Sequence, residues 1–256
     1  MQQFSIVSYN VNGIRAAFNK GFVDWLKAGN FDIVCLQEIK ADADQIDVAA
    51  LEQLGYHCYW YSAQKKGYSG VGILTKIKPD QVVAGCGIPE YDYEGRMLRA
   101  DFGNLSIFSC YFPSGTSGEA RQEVKMKFLS DIQTWFSDFK KDRSVIVCGD
   151  YNIANHEIDI HDPKGNKKSS GFLPEERAWL TEWFQSGFTD SFRKVNPEKV
   201  EYSWWTYRMN ARANNKGWRI DYISVSDELK DHVKAVSHLT DAVHSDHCPV
   251  WMQYEQ

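Results

Sequence analysis

Val145-Ile146-Val147-Cys148-Gly149-Asp150-Tyr151-Asn152-Ile153-Ala154 is the stretch whose reading decides the fold. Its first four residues are apolar at every position and rich in β-branched side chains. A strand wetted on one face would alternate, so this one is covered on both faces. The polar pair Asp150 and Asn152 follows at its C-terminal end. Residues two apart in extended chain face one side, so the two side chains point the same way.

Working outward, the same design recurs. Ile33-Val34-Cys35-Leu36 is a second doubly covered run, and Glu38 follows it. Strands are expected at 4–9, 32–37, 70–75, 97–102, 105–111, 144–148, 219–225 and 248–254. Asn10 and Asn12 follow the first, and Tyr111 ends the run Ile107–Cys110. Asp221 sits in Arg219-Ile220-Asp221-Tyr222, and Asp246-His247 precedes the last strand. A helix is expected over about 119–140, where Phe128, Leu129, Ile132, Trp135, Phe136 and Phe139 recur at helical spacing. Another begins at Pro174-Glu175-Glu176, with proline and acids where a first turn favours them. Leu180, Trp183 and Phe184 form its expected buried stripe. Strands outnumber helices, and the helices are scattered, so helices should cover the outer faces of packed sheets. Periodicity alone leaves a four-layer sandwich and other α/β arrangements open. No Pro/Gly/Ser-rich linker divides the chain, and residues 1–256 are expected to form one domain.

Composition excludes several classes. Apolar residues make up 43% and charged residues 25% of the 256, which is ordinary for a globular chain. No apolar run approaches membrane-spanning length, and no signal peptide opens the sequence. Six widely spaced cysteines without a C-x-x-C pair fit reduced thiols better than disulfides or zinc. The expected location is cytoplasmic, on the nucleoid if the source is bacterial. The net charge of −5 is unlike a generic DNA coat protein. Phosphate contact needs only a local positive patch, however. One candidate is Pro163-Lys164-Gly165-Asn166-Lys167-Lys168. A second holds Arg208, Arg212, Lys216 and Arg219. Each patch alone reads equally well as a solvated loop.

Each polar pair alone reads as a turn or strand-end cap. Together, Glu38, Asp150, Asp221 and Asp246 with Asn10, Asn12 and Asn152 make a hard oxygen set suited to Mg2+ or Mn2+. His247, next to Asp246, suits a general base or a phosphate donor, and a carboxylate such as Asp221 would fix its tautomer. Phosphodiester hydrolysis demands a barrier reduction of roughly 8–23 kcal/mol. One metal as Lewis acid supplies only part of that. A positioned water and further charge-stabilising donors are needed, and this inventory contains them.

These residues lie in recognisable motifs: Ser8-Tyr9-Asn10-Val11-Asn12-Gly13-Ile14-Arg15, Leu36-Gln37-Glu38-Ile39-Lys40, Gly70-Val71-Gly72-Ile73-Leu74 and Cys110-Tyr111-Phe112-Pro113. Gly149-Asp150-Tyr151-Asn152-Ile153-Ala154, Trp204-Trp205-Thr206-Tyr207, Gly217-Trp218-Arg219-Ile220-Asp221-Tyr222 and Ser245-Asp246-His247-Cys248-Pro249 follow in order. As a set they resemble the exonuclease III family of abasic-site (apurinic/apyrimidinic) endonucleases, within the endonuclease/exonuclease/phosphatase superfamily. The resemblance implies a four-layer α/β sandwich of the DNase I-like kind. It implies a DNA-repair phosphodiesterase that cuts 5′ to abasic sites, cleans blocked 3′ ends and has possible 3′→5′ exonuclease action. The implied cofactor is Mg2+, with Mn2+ as substitute. The implied partner of a monomeric enzyme is double-stranded DNA with abasic sites or blocked 3′ ends.

Residue by residue, the resemblance implies Glu38 as main metal ligand, assisted by Asn12 and Asp246, with Asn10, Asp150 and Asn152 as further metal-site residues. Asp150 would orient or deprotonate the attacking water, with His247 as the rival proton acceptor. Asn152 would hold water and phosphate. His247, paired with Asp221, would stabilise developing charge, and Tyr111 and Asn10 would complete the phosphate environment. Arg15, Arg96, Lys164, Asn166, Lys167, Lys168 and Arg208 are the implied DNA contacts. Trp204 and Trp218 would line a pocket for an extruded abasic sugar, which is small and forfeits little stacking. Three positions depart from the family pattern. Asn155 stands where a histidine is usual, with His156 one place late. Ser114 replaces an amide, and Asn12 stands where some members carry Asp. Other superfamily members act on inositol phosphates, sphingolipids or RNA, and the lysine loop with the Trp motif favours DNA over these.

Overall fold

The computed structural model describes residues 3–255. In chain order the strands are β1 (Gln3–Asn10), β2 (Ile33–Gln37), β3 (His57–Tyr61), β4 (Val71–Thr75), β5 (Gln81–Ala84) and β6 (Met97–Phe102). They continue with β7 (Leu105–Tyr111), β8 (Ser144–Asp150), β9 (Phe188–Asp190), β10 (Asp221–Ser226), β11 (Val233–His238) and β12 (Val250–Glu255). They form two six-stranded sheets, ordered β11-β12-β1-β2-β4-β3 and β5-β6-β7-β8-β10-β9.

The doubly apolar strands are the central ones. In β8, Ile146 and Cys148 enter the core between the sheets, where they meet Ile6, Cys35, Ile73 and Ile223. Val145 and Val147 point the other way, onto Phe128, Leu129, Ile132, Phe136, Leu180 and Trp183 of the helices Glu119–Phe139 and Pro174–Gln185. On the far side, Val7, Val34, Leu36 and Leu74 pack beneath Ile14, Phe22 and Leu26. The order is therefore helix, sheet, sheet, helix: four layers with three apolar seams.

All eight expected strands are present, and the two expected helices begin at Glu119 and Pro174. Of the stripe expected on the second helix, Leu180 and Trp183 are buried, Phe184 is half-buried, and Trp179 joins them. Four strands lie outside the expected set: β3, β5, β9 and β11, although β3 carries Cys58-Tyr59-Trp60-Tyr61 and β5 carries Val82-Val83-Ala84. These are the four sheet edges. An edge strand has partial cover, so its residues need not form an apolar run. The expected strand 219–225 starts instead at Asp221, because Arg219 leaves the ladder for a buried ion cluster. Its guanidinium, wholly excluded from solvent, bonds Asp159 Oδ1 at 2.7 Å and Asp190 Oδ2 at 2.8 Å. Arg193 adds a second guanidinium to Asp159.

The topology gathers strand ends at one edge of the sandwich. β1 runs parallel to β2, and β7 to β8, so Asn10, Glu38, Tyr111 and Asp150 all emerge there. β10 is antiparallel to β8, with Asp221 opposite Asp150, so it contributes its N-terminal end. β12 is antiparallel to β1, which places Asp246 and His247 at the same edge.

The Asp159 cluster ties the turn after β8 to the start of β10. Burial alone would raise the Asp159 carboxyl, but Arg219 and then Arg193 hold it far below the usual carboxylate range. A depressed folded value stabilises the fold above the unfolded pKa of about 3.9, and that contribution is lost as pH falls below it. Asp159→Asn is expected to cost about 3–5 kcal/mol at pH 7, because two guanidinium groups lose a buried partner. In urea melts the gap between wild type and variant should narrow as pH falls below about 4. A gap independent of pH would show that the carboxylate charge is not what stabilises the cluster.

Candidate active site

Two polar poles face each other across the gathered strand ends. The first centres on Asp150, which is buried. Its Oδ2 accepts from Asn10 Nδ2 at 2.9 Å and Asn152 Nδ2 at 3.2 Å, and its Oδ1 accepts from the Asn152 backbone at 2.8 Å. Opposite, His247 Nδ1 lies 2.9 Å from Asp221 Oδ2, which also accepts from Ser203 Oγ at 2.5 Å. A carboxylate only accepts, so Nδ1 carries the proton and Nε2 is turned toward Asp150 Oδ2, 3.9 Å away. Burial raises the Asp150 carboxyl to about 8, and Asp221 pushes the same way. Burial would lower His247, but Asp221 and then Asp150 raise it to about 10. The imidazole is therefore held as a cation by Asp221, with Asp150 on its other side.

The second pole centres on Glu38. Its carboxylate accepts from the Tyr111 hydroxyl, and Lys40 Nζ lies 2.6 Å from Oε2. The same ammonium donates to Asn12 Oδ1 at 2.5 Å. Asn12 Nδ2 in turn donates to Asp246 Oδ1 at 2.9 Å, and Trp204 Nε1 to Asp246 Oδ2 at 3.1 Å. Burial would raise Glu38, but Lys40, aided by Tyr111, holds it below the ordinary value. Asp246 is also lowered: burial opposes, while His247, Trp204 and Asn12 favour its charged form.

Which pole suits a metal follows from what each atom already does. Asp150, Asp221 and His247 offer donor atoms within 4.8 Å of one another. Yet His247 Nδ1 and Asp221 Oδ2 are spent on each other, and both Asp150 oxygens accept amide hydrogens; of these carboxylate oxygens only Asp221 Oδ1 lacks a partner among the described residues. That trio is built to handle protons. At the other pole the oxygens of Glu38, Asn12 and Asp246 also accept hydrogen bonds, but no imidazole is among them, and a cationic ammonium already rests between Glu38 and Asn12. Such a set fits a hard divalent ion.

Backbone geometry aims these groups. Asn12, Glu38 and Asn152 have φ of 45°, 50° and 54°. Asparagine tolerates the left-handed region, but Glu38 does so at a cost.

The two poles line one cavity of about 750 Å³. Its apolar corner is Trp204, Trp218 and Ile220, with the two indoles edge to face at 6.1 Å. Lys168 lines it from the lysine loop, while Lys164 and Lys167 are exposed nearby in sequence. Arg15 and Arg208 are exposed. Gly171 must lack a side chain: a Cβ would lie 3.0 Å from both the Asn152 carbonyl and the Trp218 ring.

Several expectations need correction. Arg96 does not reach out to DNA. It is buried and donates to Glu94 Oε2 at 2.6 Å, the Tyr111 carbonyl at 2.8 Å and the Tyr68 hydroxyl at 3.0 Å, so it supports Tyr111 from behind. Asn166 turns into its own loop, donating to the Asp162 carbonyl at 2.9 Å. Asn10 is wholly buried, with both ends engaged by Asp150 and the Asn12 backbone, and orients Asp150. The second basic segment does not act as one patch. Arg219 is in the core, and Arg212 caps the carbonyls of Thr240, Ala242 and Ser245. Asn155 lies away from the cavity, accepting from Thr181 and bonding His156. Sequence reasoning missed Lys40, Ser203 and Ile220. Lys40 lay in a quoted motif, two residues after Glu38; Ser203 carried no signal at all.

The chain matches the model of the Endonuclease/Exonuclease/phosphatase family over residues 7–247. It is 42% identical to an exodeoxyribonuclease of Bacillus subtilis, covering 96% of this chain and 97% of the relative. It is 38% identical to the zebrafish (Danio rerio) DNA repair nuclease APEX1, over 96% of this chain and 80% of that protein. Among solved structures, an AP endonuclease from Archaeoglobus fulgidus superposes with a TM-score of 0.91 at 26% identity, over 99% of this chain and all of that one. A 3′ phosphatase from Neisseria, bound to product DNA hairpin, gives 0.91 at 29% identity, with coverage of 99% and 100%. The four-layer sandwich is thus the DNase I-like fold that these nucleases share, and the chain belongs to the endonuclease/exonuclease/phosphatase family.

Proposed function

We propose that the protein is a divalent-metal-dependent DNA phosphodiesterase that incises 5′ to abasic sites and removes blocking groups or nucleotides from 3′ ends. The observation that carries this reading is the single cavity in which a proton-handling pole, an oxygen-only pole and a tryptophan corner converge. A relative named exodeoxyribonuclease and a solved AP endonuclease, each aligned nearly end to end, support it.

Glu38, with Asn12 and Asp246, would hold Mg2+, or Mn2+ in its place. When bound, the ion supplies Lewis-acid charge to the phosphate and the leaving oxygen. The chain's own residues supply the rest. His247, kept cationic by Asp221, donates from Nε2 to a phosphate oxygen and stabilises the charge that grows there. A group already protonated cannot accept the water's proton. Asp150 takes it in its ionised form: the His247 cation beside it favours that form, and the raised pKa makes the ionised carboxylate a stronger acceptor than an ordinary one. Asn152 holds the water against Asp150. Tyr111 fixes Glu38 by its hydroxyl. The indoles of Trp204 and Trp218, with Ile220, give an extruded sugar an apolar seat too narrow in chemistry for polar base edges. Lys164, Lys167, Lys168, Arg15 and Arg208 bind backbone phosphates.

Six free cysteines fit a reducing cytoplasm, on the nucleoid if the source is bacterial. Among the described residues no helix is long and apolar enough to cross a membrane. We take the working unit to be a monomer.

Incubation with an abasic duplex and Mg2+ should give incision 5′ to the lesion, and chelation by EDTA should abolish it. Turnover of a phosphoinositide without incision would overturn the reading. Asp150→Asn and His247→Asn should each lower kcat by about 100-fold or more while duplex affinity stays within about twofold. Full activity in both variants would show that the proton-handling pole is misassigned. Duplex affinity should also fall as salt rises, because phosphate neutralisation releases counterions. A flat response would remove the lysine loop from the DNA contact.

A further inference from the structure

The helix Glu119–Phe139 buries a charge that the chemistry above does not use. Lys125 is wholly excluded from solvent, and so is Glu176 in the helix Pro174–Gln185. Lys125 Nζ lies 2.6 Å from Glu176 Oε1. Desolvating two ions commonly costs more than their attraction returns, and packed apolar residues of the same volume serve stability as well. Stability therefore gives no reason to place this pair here.

The other hydrogen bonds give one. Lys125 Nζ also donates to the backbone carbonyl of Asn152 at 2.8 Å. That carbonyl belongs to a left-handed residue outside any ladder, and among the described residues no backbone N–H reaches it. Glu176 faces the other way. Its Oε2 accepts from the backbone of Gly171 at 2.6 Å and Leu173 at 3.0 Å, where the lysine loop returns to the fold. Its Oε1 accepts from Gln122 at 2.9 Å and Ser170 at 3.3 Å. A backbone bond from Ala154 to the Gly171 carbonyl, 2.8 Å, closes the same seam. The ion pair thus has one hand on the turn that carries Asp150 and Asn152. Its other hand is on the segment that ends the DNA-facing loop.

We propose that Lys125 and Glu176 are positioning residues: they latch the Asp150–Asn152 turn to the lysine loop, so that seating DNA on the loop and fixing Asn152 are one event. The inference rests on the phosphodiesterase reading for its meaning, but the latch itself has a readout that needs no turnover.

Lys125→Met alone strands a buried carboxylate and lowers Tm and kcat together. The informative variant is Lys125→Met with Glu176→Gln, which removes both charges at once. In this double variant Tm should recover most of the single variant's loss. Its kcat on abasic duplex should stay about 100-fold below wild type with KM little changed, as for a small misplacement of catalytic groups. Recovery of kcat in step with Tm would reduce the pair to a folding element and overturn the proposal. Amide hydrogen exchange with duplex bound in EDTA provides the second reading. In wild type, DNA should protect both 164–173 and 150–154. In the double variant, protection should persist at 164–169 and vanish at 150–154. Equal protection of 150–154 in both proteins would sink the latch even if neither cleaves DNA. Protection lost only in the variant, from a wild type that does not incise, would keep the latch and discard the abasic-site reading.

Discussion

Two carboxylates stand opposite each other in a place where water cannot screen them. The ladder register sets Asp221 of β10 against Asp150 of β8, and both are buried. Like charges so placed cannot both persist without a counterion. His247 is that counterion, and its position between them dictates much else. β12 must bring the residue to this edge, Ser203 must satisfy the same oxygen of Asp221 that the imidazole uses, and Asn10 must share the lone pairs of Asp150. The cost of burying negative charge has been converted into a fixed tautomer and a fixed direction for Nε2.

The same economy appears at the second pole. Lys40 occupies the gap between Glu38 and Asn12, so an ion arriving there meets a preformed but electrically satisfied set. Left-handed backbone at Asn12, Glu38 and Asn152 turns three side chains back toward one volume directly after their strands or turns. Such conformations are tolerated because surrounding bonds over-determine them. For Asn152 those bonds come from Phe112, Asp150 and Lys125, each from a different element.

Central strands and most cavity residues were legible because they carry two signals at once. An apolar run marks the strand, and a polar residue just beyond its end marks the rim. Where either signal was missing, reading failed for a physical reason. Partial cover left β9 and β11 without apolar runs, while those of β3 and β5, Cys58–Tyr61 and Val82–Ala84, are too short to stand out. Arginines were harder still. Arg96, Arg212 and Arg219 look like DNA contacts in a sequence, because a guanidinium gives no local sign of whether a carboxylate or carbonyl awaits it inside the fold. Their partners, such as Asp159 and Asp190 for Arg219, lie far away along the chain. Ser203 and Ile220 act through neighbours fixed only by the tertiary structure. The resemblance to exonuclease III supplied roles that spacing alone could not assign.

The rims of the two sheets have a bearing on how the molecule behaves in a crowd. β9 is three residues long and β5 four, so each exposes only a stub of unpaired backbone. β11 is longer but is broken by an irregularity between Val233 and Ala235, and it turns Lys234 outward. An incoming strand would gain few bonds on any of these and would meet a charge or a kink. At these three rims a chain with so many hidden β-branched residues keeps its adhesive surfaces short; the fourth, β3, presents five residues in unbroken register with β4.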